Sequence, residues 1–211
     1  MKTTIWSALV FLLLMSCNDK KENKKEPDET PIRNDTVIRA PIAPSVNSYV
    51  PVDISPMDMS YYPVDYPISK MGKATATPPL ARVIYSRPHL QGRHVFHEVL
   101  KYGEPWRLGA NESTELQLFS DATIQGIPVK AGRYVLYCIP QPNEWKIILN
   151  SNTDSWGLRP EAAHDVASFV VPVETSAGSL EYFTILFQPA ETGANLLMAW
   201  DNVEVKLPIR F

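Results

Sequence analysis

The chain of 211 residues is poor in cysteine: Cys17 and Cys138 make neither a disulfide framework nor a cysteine metal set. It also lacks an excess of positive charge. Twenty Lys and Arg against 23 Asp and Glu give a formal net charge of −3. No broad basic field is left for nucleic acid. No apolar run is long enough to cross a bilayer as a helix, which takes about 20 residues. Glycine is scarce, with 9 residues, and none falls in a phosphate-binding loop or a dinucleotide fingerprint. No H-E-x-x-H or G-x-S-x-G spacing occurs, so neither the zincin pair nor the nucleophile elbow is present. What remains is a globular composition, 45% hydrophobic and 20% charged, with room for one good core.

The N-terminus reads as a targeting segment. Lys2 gives a positive start, and Ile5 to Leu14 is mostly apolar. The run ends in Leu14-Met15-Ser16-Cys17, the pattern of a bacterial lipobox. Residues 1–16 are therefore expected to be a lipoprotein signal peptide, with Cys17 acylated as the mature N-terminus. The alternative is an ordinary signal peptide with an incidental cysteine. Residues 17–48 are expected to be a lipid-anchored tether, because "NDKKENKKEPDET" (18–30) has no apolar residue to offset chain entropy. Ten of the 19 prolines lie between Pro27 and Pro79, which makes this region stiff and extended. Within it, "YVPVD" (49–53) returns as "YYPVD" (61–65). With its tyrosines and methionines, segment 49–79 is expected to be an ordered arm wrapped over the domain rather than a free linker.

From residue 80 to 211 the texture changes to strands. "ARVIYS", "TELQLF", "RYVLYCI", "WKIIL", "ASFVVPV", "LEYFTILF", "ANLLMAW" and "VEVKLPI" are short runs of β character. Val203, Val205 and Leu207 point one way and Glu204 and Lys206 the other. Gln125-Gly126, Ala131-Gly132, Pro142-Asn143 and Asp201-Asn202 mark turns, the last a two-residue hairpin candidate. The expectation is an all-β fold, an antiparallel β-sandwich or flattened barrel of eight or nine strands. "HVFHEVLKYG" is the one candidate for a short helix.

The chemistry concentrates between Tyr85 and Thr114. Arg87, Arg93 and Arg107 present planar forks of donors suited to carboxylates, phosphates and carbonyls. Trp106 offers a flat face for stacking, and Asn111 and Glu112 follow. These six residues are the ligand-binding candidates. The competing reading is a polar corner that satisfies backbone groups. A mixed role is expected: Arg107 and Glu112 form the joint, and Arg87 or Arg93 faces an opening beside Trp106. His89, His94, His97 and Glu98 lack a metal-binding spacing, and no metal or other cofactor is expected. Ser86 near His89 lacks an acid partner. Glu98, Glu104 and Glu112 could supply a hydrolytic carboxylate pair. Cys138 sits in an apolar run with no adjacent base and reads as an inert core thiol.

Taken together, "YSRPHLQGRHVF", "YGEPWRLGANEST", "AGRYVLYCIP" and "WKIILN" resemble the domain of unknown function 2911 family. That family is widespread in Bacteroidetes-type bacteria and often secreted or lipid-anchored. The resemblance covers about Leu80 to Phe211 and reaches back to "SPMDMSYYPVDYP" in lipoprotein members. It implies no established activity. Members often carry glycine after the phenylalanine where this chain has His97, so it implies no metal ligand there.

The resulting expectation is an envelope lipoprotein held to a membrane through Cys17, the outer membrane favoured over the inner, facing the periplasm or the cell surface. The domain would be a non-enzymatic binding module for a glycan or an anionic small ligand. A structural or partner-binding envelope protein is the first alternative, and a hydrolase using a carboxylate pair the second.

Overall fold

The computed structural model describes residues 53–72 and 77–211. Cys17, the signal segment 1–16, the tether 17–48 and the start of the arm at 49–52 lie outside the described residues. The strands are β1 (Met57–Tyr62), β2 (Ala81–Ser86), β3 (Thr114–Leu118), β4 (Ala122–Ile124), β5 (Ile127–Val129), β6 (Gly132–Pro140), β7 (Glu144–Asn150), β8 (Asp165–Pro172), β9 (Glu174–Ala190) and β10 (Gly193–Arg210). One helix, α1 (Tyr66–Gly72), follows β1. A six-stranded sheet runs β1-β2-β3-β6-β7-β8, and a four-stranded sheet runs β5-β4-β10-β9. Every pairing is antiparallel. The sheets are open, so the sandwich is correct and the flattened barrel is not.

Period-two alternation builds the core. Val83 and Tyr85 of β2, Leu116 and Leu118 of β3, Leu136 and Cys138 of β6, and Ile147 and Leu149 of β7 face Phe183, Ile185 and Phe187 of β9 and Leu196, Met198, Leu207 and Ile209 of β10 in one apolar cluster. β6 is buried on both faces from Tyr134 to Cys138, as a central strand must be. Cys138 is fully buried, and that burial raises its thiol pKa well above the ordinary value, so it is an inert core thiol.

Ten strands replace the expected eight or nine. The difference lies in three places. Gln125 and Gly126 both take positive φ (47° and 81°), the pattern of a type I′ turn, and close a short β4–β5 hairpin. Asp201-Asn202 is a bulge and not the expected hairpin turn. β10 runs straight through it, Asp201 has φ 54°, and its pairing with β9 shifts register on both sides. Ser179 Oγ donates to Asp201 Oδ1 at 2.9 Å, so the Asp marks a polar kink in one long strand. The third place is β1. The expected short helix at "HVFHEVLKYG" shrinks to a single turn of π-helix, Val95–Val99.

β1 adds the edge strand of the six-stranded sheet, in register from Met57↔Ser86 to Tyr62↔Ala81. Its inward residues are polar or amphipathic. Ser60 Oγ accepts from the Phe187 amide at 3.2 Å, and Tyr62 donates its hydroxyl to the Gly193 carbonyl at 2.9 Å. The Tyr62 ring stacks on Phe211 at 5.1 Å and tilts onto Phe187 at 6.2 Å. β1 thus ties one edge of the six-stranded sheet to β9 and β10. Tyr62→Ala removes a half-buried aromatic and its hydrogen bond and is expected to cost about 2 kcal/mol. For a domain of this size that is roughly 4–8 °C in Tm. Calorimetry of the variant checks this, and an unchanged Tm would mean that β1 contributes nothing to the folded domain.

Candidate functional site

The stretch Gly103–Thr114 is an interrupted strand. β3 has five residues and β6 has nine, so β3 covers β6 from Gly132 to Leu136 and no further. Beyond that point the same edge of β6 is filled by residues 103–106. The Trp106 amide donates to the Cys138 carbonyl at 2.8 Å, the Cys138 amide donates back at 2.8 Å, and the Gly103 amide donates to the Pro140 carbonyl at 2.8 Å. The chain then leaves the sheet between Arg107 and Ser113 and re-enters as β3. Two non-glycine residues in the left-handed region, Leu108 (φ 55°) and Asn111 (φ 58°), turn the excursion. Thr114 Oγ1 donates to the Leu108 carbonyl at 2.6 Å, and Trp106 Nε1 donates to the Gly109 carbonyl at 3.2 Å. Gly109 passes so close to β2 that a Cβ would lie 3.0 Å from the Ser86 carbonyl oxygen.

Beside this excursion lies a cleft of about 310 Å³. Its apolar wall includes Val99, Leu100, Trp106, Leu158 and Trp200, and Gly109 and Gly157 also line it. Among the described residues Arg107 is the one ionisable side chain in the lining. Trp106 is 8% exposed, and its ring is committed to the core: it stacks on Trp200 at 5.8 Å and meets Trp145 (5.8 Å) and Phe183 (4.7 Å) edge to face. It is a wall of the cleft, not the open stacking face that its sequence context suggested.

The arginines exchange their expected roles. Arg87 is the joint. Its Nε donates to the Phe183 carbonyl at 3.2 Å, its two terminal nitrogens to Asp58 Oδ2 at 3.3 Å and Thr184 Oγ1 at 3.2 Å, and its guanidinium lies 5.6 Å from the Tyr182 ring centre. It sits where the chain crosses from β2 to pair with β9, through the Phe183 amide on the Pro88 carbonyl at 2.9 Å. Tyr85 joins the same group through Asp58 at 3.4 Å, and burial first of all pushes its hydroxyl up to about 12. Arg93 caps its own turn, donating to the Leu90 and His89 carbonyls at 2.8 and 3.1 Å. Neither Arg87 nor Arg93 lines the cleft. Arg107 does, and it forms no ion pair with Glu112, which is exposed. Its one hydrogen bond among the described residues runs from Nη1 to the Trp156 carbonyl at 3.4 Å. Partial burial draws its pKa below the ordinary value, yet a guanidinium stays charged at any physiological pH. Asn111 donates to Asp53 Oδ2 at 2.7 Å. The cleft therefore gathers two of the six candidates, Trp106 and Arg107, and uses the others elsewhere or leaves them at the surface.

The remaining chemical readings disperse. His89 stacks on Tyr182 at 5.3 Å and its ring contacts Gln91 at 3.0 Å. Glu98 accepts from the His94 amide at 2.7 Å, and Glu104 pairs with Lys101 at 3.6 Å. Ser86 is fully buried with its hydroxyl on the Met57 sulfur at 2.8 Å. Among the described residues no group of three His, Cys, Asp or Glu side chains is placed to hold a metal ion. The residues that the sequence left unnoticed are on the loop after β7. Ser113 Oγ donates to the Ser155 carbonyl at 2.6 Å, Trp156 lends Arg107 its carbonyl, and Gly157 and Leu158 line the cleft. A lone tryptophan inside the polar run "SNTDSWGLRPE" was the available signal.

A family model described as "Protein of unknown function (DUF2911)" matches residues 69–209, two thirds of the chain and every strand except β1. The chain belongs to the DUF2911 family. No curated protein and no solved structure matches it. The family description carries no activity, so the chemistry of this DUF2911 domain rests on the cleft itself. Its stability rests in part on Arg87. Arg87→Ala removes three hydrogen bonds from a charged donor and takes from Asp58 its ion-pair partner, and is expected to cost about 2–3 kcal/mol. Glu112→Ala, at an exposed position, should stay within about 0.5 kcal/mol of the parent. Urea unfolding of both variants tests the assignment. Equal midpoints would remove Arg87 as the joint.

Proposed function

We propose that the DUF2911 domain is a non-enzymatic binding module for a small ligand that carries an anionic group, such as an acidic sugar. One observation carries this reading: among the described residues a guanidinium with five donors makes one hydrogen bond, of 3.4 Å, in a cleft whose other lining side chains carry no charge. Charge-assisted hydrogen bonds strengthen where water is partly displaced, so Arg107 is suited to an incoming oxyanion. Among the described residues no carboxylate, histidine or nucleophile lines the cleft, which supports binding over hydrolysis. The volume of about 310 Å³ lies at the small end of ligand pockets and suits one ring or a short chain.

Arg107→Ala should lower affinity for an anionic ligand about 10- to 100-fold, the loss expected for a desolvated charge-assisted contact. Arg133→Ala, which breaks the surface pair with Glu115, should leave it unchanged. Titration calorimetry with a panel of sugar acids, organic phosphates and neutral oligosaccharides gives the measurement. Binding of neutral ligands alone, indifferent to Arg107→Ala, would sink the reading.

We also infer that the protein works from a lipid anchor in the cell envelope of a Bacteroidetes-type bacterium, with the outer membrane the favoured location. The support is the apolar run that stops at Leu14-Met15-Ser16-Cys17 and gives way at once to a charged tether. A diacyl or triacyl anchor holds a protein stably, where a single chain does not. Cys17→Ser is expected to move the protein from the membrane to the soluble fraction. Retention of the variant in membranes, with no acyl mass on the parent, would refute the anchor.

A further inference from the structure

We propose that the Arg107 cleft takes a short-chain aliphatic monocarboxylate, its carboxylate on the Arg107 guanidinium and its carbon chain against the apolar wall that Leu158 shares with Val99 and Leu100. This rests on the reading of the cleft as an anion site. It narrows that reading from anions in general to carboxylates with an apolar body.

Hydrogen-bonding capacity in the lining is nearly all spent. The two indoles donate within the protein, Trp106 Nε1 to the Gly109 carbonyl and Trp200 Nε1 to the Glu181 carbonyl, both at 3.2 Å. The carbonyls of Pro88, Trp106 and Gly109 already accept, from the Phe183 amide, the Cys138 amide and the Trp106 indole. Among the described residues no lining side chain is an acceptor, and Arg107 is the one with donors to spare. A sugar body brings a hydroxyl on almost every carbon, and each hydroxyl buried without a partner weakens binding. A carbon chain needs no such partner. Acidic sugars are one member of the anion class that suits Arg107, and the wall favours the members with an apolar body.

Leu158 is the part of the wall that a ligand would complete. It is 67% exposed, whereas Trp106 and Trp200 in the same lining are 8% and 1% exposed and Val99 and Leu100 are half-buried. The residue before it is fixed. Gly157 takes φ 84°, and a Cβ there would lie 2.5 Å from Ser113 Oγ and 3.1 Å from Arg107 Cβ. The Gly157 amide donates to Ser155 Oγ at 3.0 Å, and Ser113 Oγ donates to the Ser155 carbonyl at 2.6 Å. Leu158 thus follows directly on a backbone seated against the Arg107 side chain. An apolar chain that covers an exposed leucine removes area from water, and a backbone held before the ligand arrives keeps the entropic cost of binding low.

Charge selects the head group. Arg107 is the one ionisable lining side chain among the described residues. One guanidinium balances one carboxylate and meets it with two parallel N–H groups on two oxygens. A phosphoryl dianion or a dicarboxylate would leave a second negative charge unpaired beside apolar side chains.

The test titrates the full chain by calorimetry with acetate, butanoate, hexanoate, gluconate and hexan-1-ol, the weak binders read by competition against hexanoate. Hexanoate and gluconate share carbon count and head group and differ in hydroxyls, and hexan-1-ol has the chain without the charge. Wild type should bind hexanoate at least tenfold tighter than gluconate or hexan-1-ol, and affinity should rise about two- to fourfold per methylene along the acid series. Leu158→Ser should flatten that rise and lower hexanoate affinity about three- to tenfold while leaving acetate unchanged, and Leu158→Met should keep the rise. Arg107→Ala should weaken acetate and hexanoate by the same factor. Gluconate bound more tightly than hexanoate, with binding lost in Arg107→Ala, would overturn the aliphatic class and leave the anion site standing. A rise along the acid series that survives Leu158→Ser would overturn the assignment of Leu158. Hexanoate and hexan-1-ol bound alike, indifferent to Arg107→Ala, would overturn the anion site and this proposal with it. So would a full chain that binds none of the probes.

Discussion

The edge of β6 beyond Leu136 sets the rest of the site. A strand at the centre of a buried sheet cannot leave its amides and carbonyls unpaired, because each orphan costs a desolvation penalty of about 1–3 kcal/mol. β3 is too short to reach Cys138, so residues 103–106 fill the gap, with Trp106 paired to Cys138 in both directions. Once Trp106 is fixed there, its ring enters the core against Trp200 and Phe183, and the next residue, Arg107, stands where the chain leaves the sheet. Leu108 then turns back at φ 55°, a conformation that costs a bulky residue about 1–3 kcal/mol and is offset here by complete burial. The cleft is a consequence of a strand that breaks off and resumes.

The three arginines show how hydrogen-bond bookkeeping separates a joint from a site. Arg87 and Arg93 are spent on carbonyls, a carboxylate and a hydroxyl within the fold. Arg107 is nearly unspent. A guanidinium that is fully used stabilises the fold and has nothing to offer a ligand. One that is held in place by a neighbour's backbone, with its donors open, has the reverse balance. Proximity in sequence had put all three in one polar layer, but each is claimed by a different partner: Arg87 by β9 and β1, Arg93 by its own turn, Arg107 by the loop after β7.

What was legible in the sequence follows from periodicity. The core faces of β2, β3, β6, β7, β9 and β10 alternate with period two, and those strands stand where the alternation puts them. β1 was opaque as a strand because its inward face reads Asp58, Ser60 and Tyr62, which satisfy polar groups across the sandwich edge instead of filling a core. Asp201-Asn202 has turn composition, yet a bulge asks for the same left-handed residue as a turn, and composition does not distinguish the two. The exchange of Arg87 and Arg107 was illegible for a further reason. It depends on which strand edge passes each guanidinium, and that is a property of sheet order, not of neighbours in the chain.

Trp156 illustrates the same limit from the other side. It lies 49 residues beyond Arg107, in a polar loop where the lone tryptophan itself is the only signal. The two segments meet because β3 and β7 flank β6, so the chain entering one and the chain leaving the other emerge at neighbouring positions. Ser113, the residue just before β3, locks the loop that follows β7. Site and scaffold are thereby separated: the ladder of β3, β6 and β7 fixes where the walls stand, and loop residues decide what the walls recognise. Replacing Leu158, which lines the cleft and is mostly exposed, would change the surface offered to a ligand without touching a ladder hydrogen bond. Replacing Gly157 would not be so free, because its φ is 84° and a Cβ there would lie 2.5 Å from Ser113 Oγ and press on Arg107 Cβ at 3.1 Å. The fold therefore ties the backbone of this loop, whatever side chains it carries, to the arginine that donates to the Trp156 carbonyl.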